Sequence, residues 1–391
     1  MGLLRFVNSS QFICRKYSQS LVAQRRIVGV NENIYKKIAV NQLLAFKQVY
    51  ELNKQKIDSF NLVASCRTRD VFREVRQSTT VHNSLELINQ LQATDIEVGS
   101  FLAHHDSSKM LTGINLLLKR VEDTESDLKC LISPENKGKT FSALIGIPKK
   151  DPFRYLKKFD LLLENASKYN ICLKPAFFMS ADNEYSLKNQ NMSSIQVLDL
   201  HSKVFDSFKE NQLKTDLKNS ILYISMPSSD LDMTANMIKA FPGLVSFGDT
   251  FGSMTKADLN LLTDKLKQFD FKMSNVSLHL HGNPGLSLDE DVTRMFELLL
   301  QFFSNKGSVI DGNNLPMGFK NQLSGSSSQF ERSGNMSVRL LTQVLVSLNI
   351  GDFESHVETY SKLLYLQEIT NSTDLFEGEF ANLFHDVLQS Y

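Results

Sequence analysis

The stretch FSALIGIPKKDPFRYLKKFDLLLENA, residues 141–166, joins a short β-rich segment to an amphipathic one. Phe141–Ile147 is an apolar run of the length of a buried strand. In Phe153–Ala166 the apolar side chains recur at the three- and four-residue spacing of one helix face. A strand followed by a helix is the unit from which parallel sheets are built. This stretch therefore predicts an α/β fold.

The same order of segments recurs from residue 59 onward. The candidate strands are Phe60–Ser65, Ile96–Phe101, Leu128–Ile132, Phe141–Ile147, Ile171–Met179, Ile221–Ser225, Leu244–Gly248, Val276–His281 and Val309–Ile310. Amphipathic stretches lie between several of them, which indicates repeated strand-and-helix units and a parallel sheet. The nine candidates exceed by one the eight strands of a (β/α)8 barrel. The surplus falls where the chain is long and polar, so Asp182–Asn219 and Ile221–Ser225 are assigned to an insertion after the fifth strand.

A doubly wound open sheet is the alternative architecture. A barrel is favoured because polar residues lie at the carboxyl ends of several predicted strands, where (β/α)8 barrels carry their active sites. These residues are Arg69, Asp70, Glu97, Asp249, His279 and His281. The predicted fold is thus a TIM barrel over residues 59–366, with the insertion at about 182–226.

The segments around the barrel are predicted to be helical. Residues 32–58 form a helical lead-in, while Val338–Leu348 and His356–Leu366 are predicted as extra C-terminal helices before a helical tail at 367–391. The serine-rich run Leu323–Ser328 predicts a flexible loop near the barrel mouth.

Composition excludes several classes of protein. With 391 residues and 42% hydrophobic content, the chain can bury a sizeable core. Its 43 basic residues balance 43 acidic ones, so no overall field would attract nucleic acid. The four cysteines form no Cys-x-x-Cys pair, which argues against a zinc ribbon or a disulfide framework. No apolar run approaches the roughly 18 residues that span a bilayer, so no membrane span is expected.

The first 31 residues carry basic side chains and no acidic one. The basic residues are Arg5, Arg15, Lys16, Arg25 and Arg26, and the first acidic residue is Glu32. With Ser and Gln between them, this composition is typical of a mitochondrial transit peptide, and a basic disordered tail is the alternative. Residues 1–31 therefore predict localisation in the mitochondrial matrix.

Two histidines occupy alternate positions of the candidate strand Val276–His281. Because strand side chains repeat every second residue, His279 and His281 must leave the same face. Two imidazoles on one face could bind one divalent ion. The alternative is that both are partners in hydrogen bonds of the core.

Five motifs along the chain resemble those of 3-hydroxy-3-methylglutaryl-CoA lyase and its wider class of metal-dependent carbon-carbon lyases and acyltransferases. They are Arg69-Asp70, Ile96–Phe101, Val245–Gly252, His279-Leu280-His281 and Ser333-Gly334-Asn335. They stand in the family's order and at nearly its spacing from about residue 60 to residue 366. The resemblance therefore covers most of the chain.

The resemblance implies a site as well as a fold. The ligands implied for a divalent ion, Mg²⁺ or Mn²⁺, are Asp70, His279, His281 and Asn335. A carboxylate, two imidazoles and an amide oxygen would leave positions on an octahedral ion for a chelating acyl-CoA substrate. Arg69 stands where the family's arginine polarises a substrate carbonyl and stabilises the enolate, with a surface ion pair as the alternative. Glu97 and Asp249 match carboxylates of the barrel mouth, and the alternative for each is a strand-end carboxylate that holds backbone amides.

The chain also departs from the family at important positions. Val71 stands where the family has glycine, and Arg339 stands where it has an acidic residue. The family's acid/base cysteine is replaced by Ser326, whose hydroxyl offers no accessible anion near neutral pH. The segment Asp311–Gln322 is about six residues longer than its counterpart. Proton transfer through position 326 is therefore expected to be impaired.

Three functions follow from this mixture. The first is metal-dependent cleavage of a 3-hydroxyacyl-CoA to acetyl-CoA and a keto acid such as acetoacetate. The second is a catalytically inactive barrel that acts as a structural or regulatory subunit of a mitochondrial assembly. The third is a metal-dependent aldolase or acyltransferase that uses another keto acid. A homodimer or a mitochondrial assembly is the expected quaternary state.

Overall fold

Eight parallel strands close into a barrel in the computed structural model. The residues that it describes are 32–53, 67–71, 95–102, 138–147, 151–168, 170–181, 186–187, 191–210, 215–250, 252–283, 285–312 and 336–369. The strands are β1 Arg67–Val71, β2 Asp95–Leu102, β3 Thr140–Gly146, β4 Leu173–Ser180, β5 Ile221–Ser225, β6 Leu244–Asp249, β7 Val276–Leu280 and β8 Val309–Gly312. Each strand pairs with the next, and β8 pairs with β1. The predicted TIM barrel is confirmed.

Helices follow most of the strands. The α-helices of the described ranges are α1 Glu32–Asn53, α2 Pro152–Lys168, α3 Ser194–Lys209, α4 Leu231–Ala240, α5 Lys256–Lys267, α6 Leu288–Ser304, α7 Val338–Ser347 and α8 Phe353–Ile369. Three of them begin at capping boxes, in which a hydroxyl residue and a side chain three residues later bond each other's backbone N–H. Helix α1 lies within the predicted lead-in, and α7 and α8 lie where the C-terminal helices are predicted.

The assignment of Ile221–Ser225 to an insertion is wrong. This segment is β5, fully buried, with Ile221 paired to Ala176 on one side and to Leu244 on the other. The polar sequence before it contains α3, a helix between the barrel strands β4 and β5. The other surplus candidate, Leu128–Ile132, lies outside the described residues, and the eight described strands close the barrel without it.

The start of the barrel also differs from the prediction. The candidate strand Phe60–Ser65 lies outside the described residues, and the strand that pairs with β2 and β8 is Arg67–Val71. Arg69 and Asp70 are therefore part of β1 itself. Residues 1–31, with the predicted transit peptide, and residues 370–391 of the predicted tail also lie outside the described residues.

The two faces of the barrel wall have different chemistry. Alternate residues of a barrel strand point outward to the helices or inward to the axis. Outward residues such as Leu222 and Phe247 belong to the large core shared with the helices. Inward residues of β3, β4 and β5 form a small apolar cluster that includes Leu144 and Tyr223. Other buried inward side chains are polar, among them Ser246, His279 and Asp311.

Helix α7 is buried along its whole length, with α1 and α8 packed over it. The Arg339 guanidinium lies 5.0 Å from the ring centre of Tyr360 on α8, and Nη2 donates to Gln42 Oε1 on α1 at 3.3 Å. The basic residue at position 339 thus holds the outer helices in place. None of the helices in the described ranges combines the length and the apolar character that crossing a membrane requires.

Candidate functional site

The two histidines of β7 meet inside the barrel. The Nε2 atoms of His279 and His281 lie 3.0 Å apart, and the two side chains are 3% and 9% exposed. The prediction that they share one face is confirmed. This separation suits an N–H···N hydrogen bond. It also suits two adjacent ligands of an octahedral ion, because nitrogens about 2.1 Å from the metal at a right angle are about 3.0 Å apart.

The structure does not describe the side chains of the other two predicted metal ligands. The side chain of Asp70 is outside the described atoms, but its backbone in β1 pairs with Gly312 of β8, the neighbour of β7. Asn335 is outside the described residues, and the next residue, Met336, donates its N–H to the Leu280 carbonyl at 2.9 Å. Within the described ranges, no group of three or more His, Cys, Asp or Glu side chains could hold an ion. The imidazole pair fits a divalent ion, and the complete ligand set stays a prediction.

The predicted catalytic residues of β1 and of the serine-rich loop are described only in part. The Arg69 backbone pairs with Asp311 of β8, which in turn pairs with His279 of β7. Arg69 therefore belongs to the same row of the barrel wall as one candidate ligand. Its side chain lies outside the described atoms, and Ser326 lies outside the described residues.

Glu97 lies in β2 with its side chain fully buried, and its Cα pairs with that of Ser142 in β3. Just after this pair the ladder shifts register by one residue on β2. Such a bulge changes the direction of the following side chains, and bulges are common at barrel rims. A direct role of Glu97 in chemistry stays a prediction.

Asp249 makes contacts of the kind named above as its alternative, and a direct role in chemistry stays a prediction. Its Oδ1 accepts the Met254 N–H at 2.8 Å, and its Oδ2 accepts from the Arg294 guanidinium. Burial raises the pKa of Asp249 to about 6, and the charge of Arg294 partly offsets this rise. Since both carboxylate oxygens already hold a donor, Asp249 secures the end of β6 against its neighbours.

Arg294 on α6 is a residue that sequence reasoning missed. Its guanidinium donates to Asp249, to the His281 carbonyl at 2.7 Å, and to Asp291 at 2.8 and 3.1 Å. Both carboxylates are fully buried. One cation therefore ties the ends of β6 and β7 to α6 and fixes the backbone of a candidate ligand. The three-residue spacing of Asp291 and Arg294 predicts no more than a helix-surface pair, so local pattern could not reveal this contact.

Asp311 was also missed as a site residue. Its side chain is fully buried, its Oδ2 accepts from Tyr223 Oη at 2.6 Å and Ser246 Oγ at 3.0 Å, and it lies 3.5 Å from His279 Nδ1. The signal was present, because Asp311 directly follows the predicted strand Val309–Ile310. Tyr223 was missed because its strand had been assigned to the insertion.

A closed parallel barrel with a buried imidazole pair at its carboxyl end places the chain among TIM-barrel proteins. The solved structures that it resembles include hydroxymethylglutaryl-CoA lyases. The enzyme of Bacillus subtilis matches with a TM-score of 0.53 and 19% identity over 80% of this chain and 96% of that one. The enzyme of Pseudomonas aeruginosa matches with a TM-score of 0.52 and 19% identity over 83% and 98%.

A lyase of Acinetobacter baumannii, solved with coenzyme A and 3-methylmalate, matches with a TM-score of 0.52 and 13% identity over 80% of this chain and 93% of that one. No protein-family model matches the sequence, and no curated protein matches it either. Identities as low as these support a likeness of fold alone. The predicted resemblance to this lyase family is confirmed at that level.

Proposed function

We propose that this protein is a divergent hydroxymethylglutaryl-CoA lyase-like enzyme that binds Mg²⁺ or Mn²⁺ and cleaves a 3-hydroxyacyl-CoA. The products would be acetyl-CoA and a keto acid such as acetoacetate. The observation that carries the proposal is the pair of Nε2 atoms of His279 and His281, 3.0 Å apart inside a barrel of the lyase fold. The coenzyme A bound to the Acinetobacter baumannii lyase supports an acyl-CoA as the substrate class.

The residues of this chain would divide the work of such a cleavage. His279 and His281, with Asp70 and Asn335 as further ligands, would hold the ion, which supplies charge that polarises substrate oxygens. A base takes the proton of the 3-hydroxyl, the bond between C2 and C3 breaks, and its electron pair passes to the thioester as an enolate. Arg69 would stabilise that enolate until C2 accepts a proton. With serine at position 326, the proton donor for C2 is weaker than the thiol of the family.

Metal binding can be tested apart from turnover. Titration calorimetry with Mn²⁺ should detect one site in the wild type, and His279→Ala with His281→Ala should abolish it. His201→Ala is the matched control, because His201 is another buried histidine, with both ring nitrogens on backbone carbonyls of Val197 and Phe178. Equal Mn²⁺ binding by the wild type and the double variant would refute the metal centre.

Cleavage is tested with a panel of 3-hydroxyacyl-CoA thioesters, followed by detection of acetyl-CoA and the keto acid. The expected result is slow cleavage by the wild type and faster cleavage by Ser326→Cys, since the thiol restores an acid/base group with a pKa near 8.5. Mn²⁺ binding without cleavage by either protein would exclude the lyase reaction.

Localisation in the mitochondrial matrix, which we propose from residues 1–31, is tested by import of a tagged full-length chain into isolated mitochondria.

A second candidate is a catalytically inactive barrel that serves as a subunit of a mitochondrial assembly. The observation that favours it is the engagement of Asp249 by Arg294 and the Met254 N–H, which occupies a carboxylate of the barrel mouth. Loss of the family's cysteine at position 326 agrees with it. Recovery of the protein as a free monomer from mitochondrial extracts, together with thioester cleavage, would exclude this function.

A further inference from the structure

Asp311 places a carboxylate inside the barrel, where water is excluded and hydrogen bonds must replace it. Three polar groups from three consecutive strands gather at the same oxygen, Oδ2. Tyr223 Oη on β5 lies 2.6 Å from it, Ser246 Oγ on β6 lies 3.0 Å from it, and His279 Nδ1 on β7 lies 3.5 Å from it. Two hydroxyl donors thus fix the position of the carboxylate beside the imidazole.

The ring of His279 has a different neighbour at each nitrogen. Its Nε2 faces Nε2 of His281, whereas its Nδ1 has no hydrogen-bond partner among the described residues and lies 3.5 Å from Asp311 Oδ2. The ring is held edge-on to Tyr223, with centroids 5.4 Å apart and planes at 85°. The ring thus packs against Tyr223 and is almost fully buried.

The position of the carboxylate decides where a neutral imidazole carries its proton. With the proton on Nδ1, the positive end of an N–H lies near an anion, and the lone pair of Nε2 faces His281. With the proton on Nε2, the lone pair of Nδ1 would face the lone pairs of Asp311 Oδ2, which repel it. A carboxylate in this place therefore selects the Nδ1–H tautomer.

We infer that Asp311 is a positioning residue for the histidine pair: it holds the His279 proton on Nδ1 and keeps the Nε2 lone pair available as a ligand, while Tyr223 and Ser246 hold Asp311 itself. Its effect on metal affinity rests on the proposed function, whereas its effect on the tautomer does not. Carboxylates that orient a ligating imidazole in this way typically change metal affinity by about 10- to 100-fold.

The variant that tests this role is Asp311→Asn, which keeps the size of the side chain and an oxygen that can accept from Tyr223. Its matched control is Asp160→Asn, because Asp160 is a largely buried carboxylate of α2 that bonds Thr215 outside the barrel. Two quantities are measured on the full-length protein. They are the ¹⁵N chemical shifts of the His279 ring without metal, which report the tautomer, and the Mn²⁺ affinity.

The expected result is an Nδ1–H tautomer in the wild type and in Asp160→Asn, with a shift toward Nε2–H in Asp311→Asn. The Mn²⁺ affinity should fall about 10- to 100-fold in Asp311→Asn alone. A wild type with the His279 proton on Nε2 overturns the inference, and so does an Asp311→Asn variant with unchanged tautomer. If Asp311→Asn does not fold, the wild-type tautomer and that of Tyr223→Phe decide the question. If no protein binds Mn²⁺, the proposed function fails, and the tautomer still decides the role of Asp311.

Discussion

Replacing Arg294 with methionine should leave two buried carboxylates without their cation. The Arg294 side chain is 10% exposed, and Asp249 and Asp291 are fully buried. Removal of one partner from a buried ion pair typically costs about 3–5 kcal/mol, because the remaining charge has lost its compensation. We expect a loss of that size in the free energy of unfolding at pH 8, against a total of about 5–15 kcal/mol for an ordinary domain.

The loss should depend on pH, because a carboxylate without a cation can be neutralised by a proton. Burial already raises the pKa of Asp249 to about 6 against the opposing effect of Arg294, and without Arg294 it rises further. The destabilisation should therefore be smaller at pH 5 than at pH 8. Because the chain has no tryptophan, urea unfolding is followed by circular dichroism at both values.

The control is the double variant Asp249→Asn with Arg294→Met, which removes one of the stranded charges along with the cation. It should recover part of the stability that Arg294→Met loses at pH 8. Together with the single variant Asp249→Asn it completes a double-mutant cycle, which measures the coupling of the two residues. An equal loss at pH 5 and pH 8, or a loss below about 1 kcal/mol, would show that Arg294 does not compensate buried charge.

Three further predictions concern single residues. The pKa of Asp249 is raised from 3.8 to about 6, which implies a stabilisation that is present below about pH 4 and is lost as the pH rises through 6. Asp249→Asn should therefore flatten the fall of the denaturation midpoint between about pH 4 and pH 6. An unchanged slope would contradict the raised pKa. Burial lowers the pKa of His201, so its stabilising effect is present above about pH 6.5 and is lost on acidification. His201→Gln should lose less stability between pH 7 and pH 5 than the wild type. Parallel curves of stability against pH for the two proteins would count against this. Gly252→Ala should cost about 1–3 kcal/mol, since φ is +65° and the new Cβ would lie 2.7 Å from the Gly282 backbone. Gly138→Ala, at φ +85° with nothing within 4 Å, is its control and should cost less in the same urea titration.

The barrel could be predicted from the sequence because each strand and each helix leaves a local pattern of apolar and polar residues. The strand and the helix of residues 141–166 appear in the structure as β3 and α2, at nearly the predicted bounds. Ile221–Ser225 was misassigned although its apolar pattern was recognised, because the choice of the surplus strand relied on the polarity of the neighbouring segment. Pairing on both sides, which makes this segment β5, depends on residues far away in the chain.

The sequence also predicted the part of the candidate site that local spacing determines. The spacing of His279 and His281 requires one shared face, and the structure brings their rings together. Neither Asp311 nor Arg294 could be assigned its partners from spacing, because each joins residues that only the closed barrel brings together. Tyr223 and Asp311 are 88 positions apart in the chain.

The packing of α1 against α7 and α8 joins the two ends of the described chain. Arg339 reaches Gln42 across 297 positions, and Lys36 pairs with Glu358 at 3.0 Å. The ribosome synthesises the amino end of a protein first. Helix α1 can therefore pack against α7 and α8 only after the whole barrel has been synthesised. Until then the side chains of Ala39 and Leu43 lack the contacts with Val346 and Tyr360 that help to bury them in the folded protein. Completion of this outer layer is therefore a late step of biosynthesis, one that a truncated chain cannot reach.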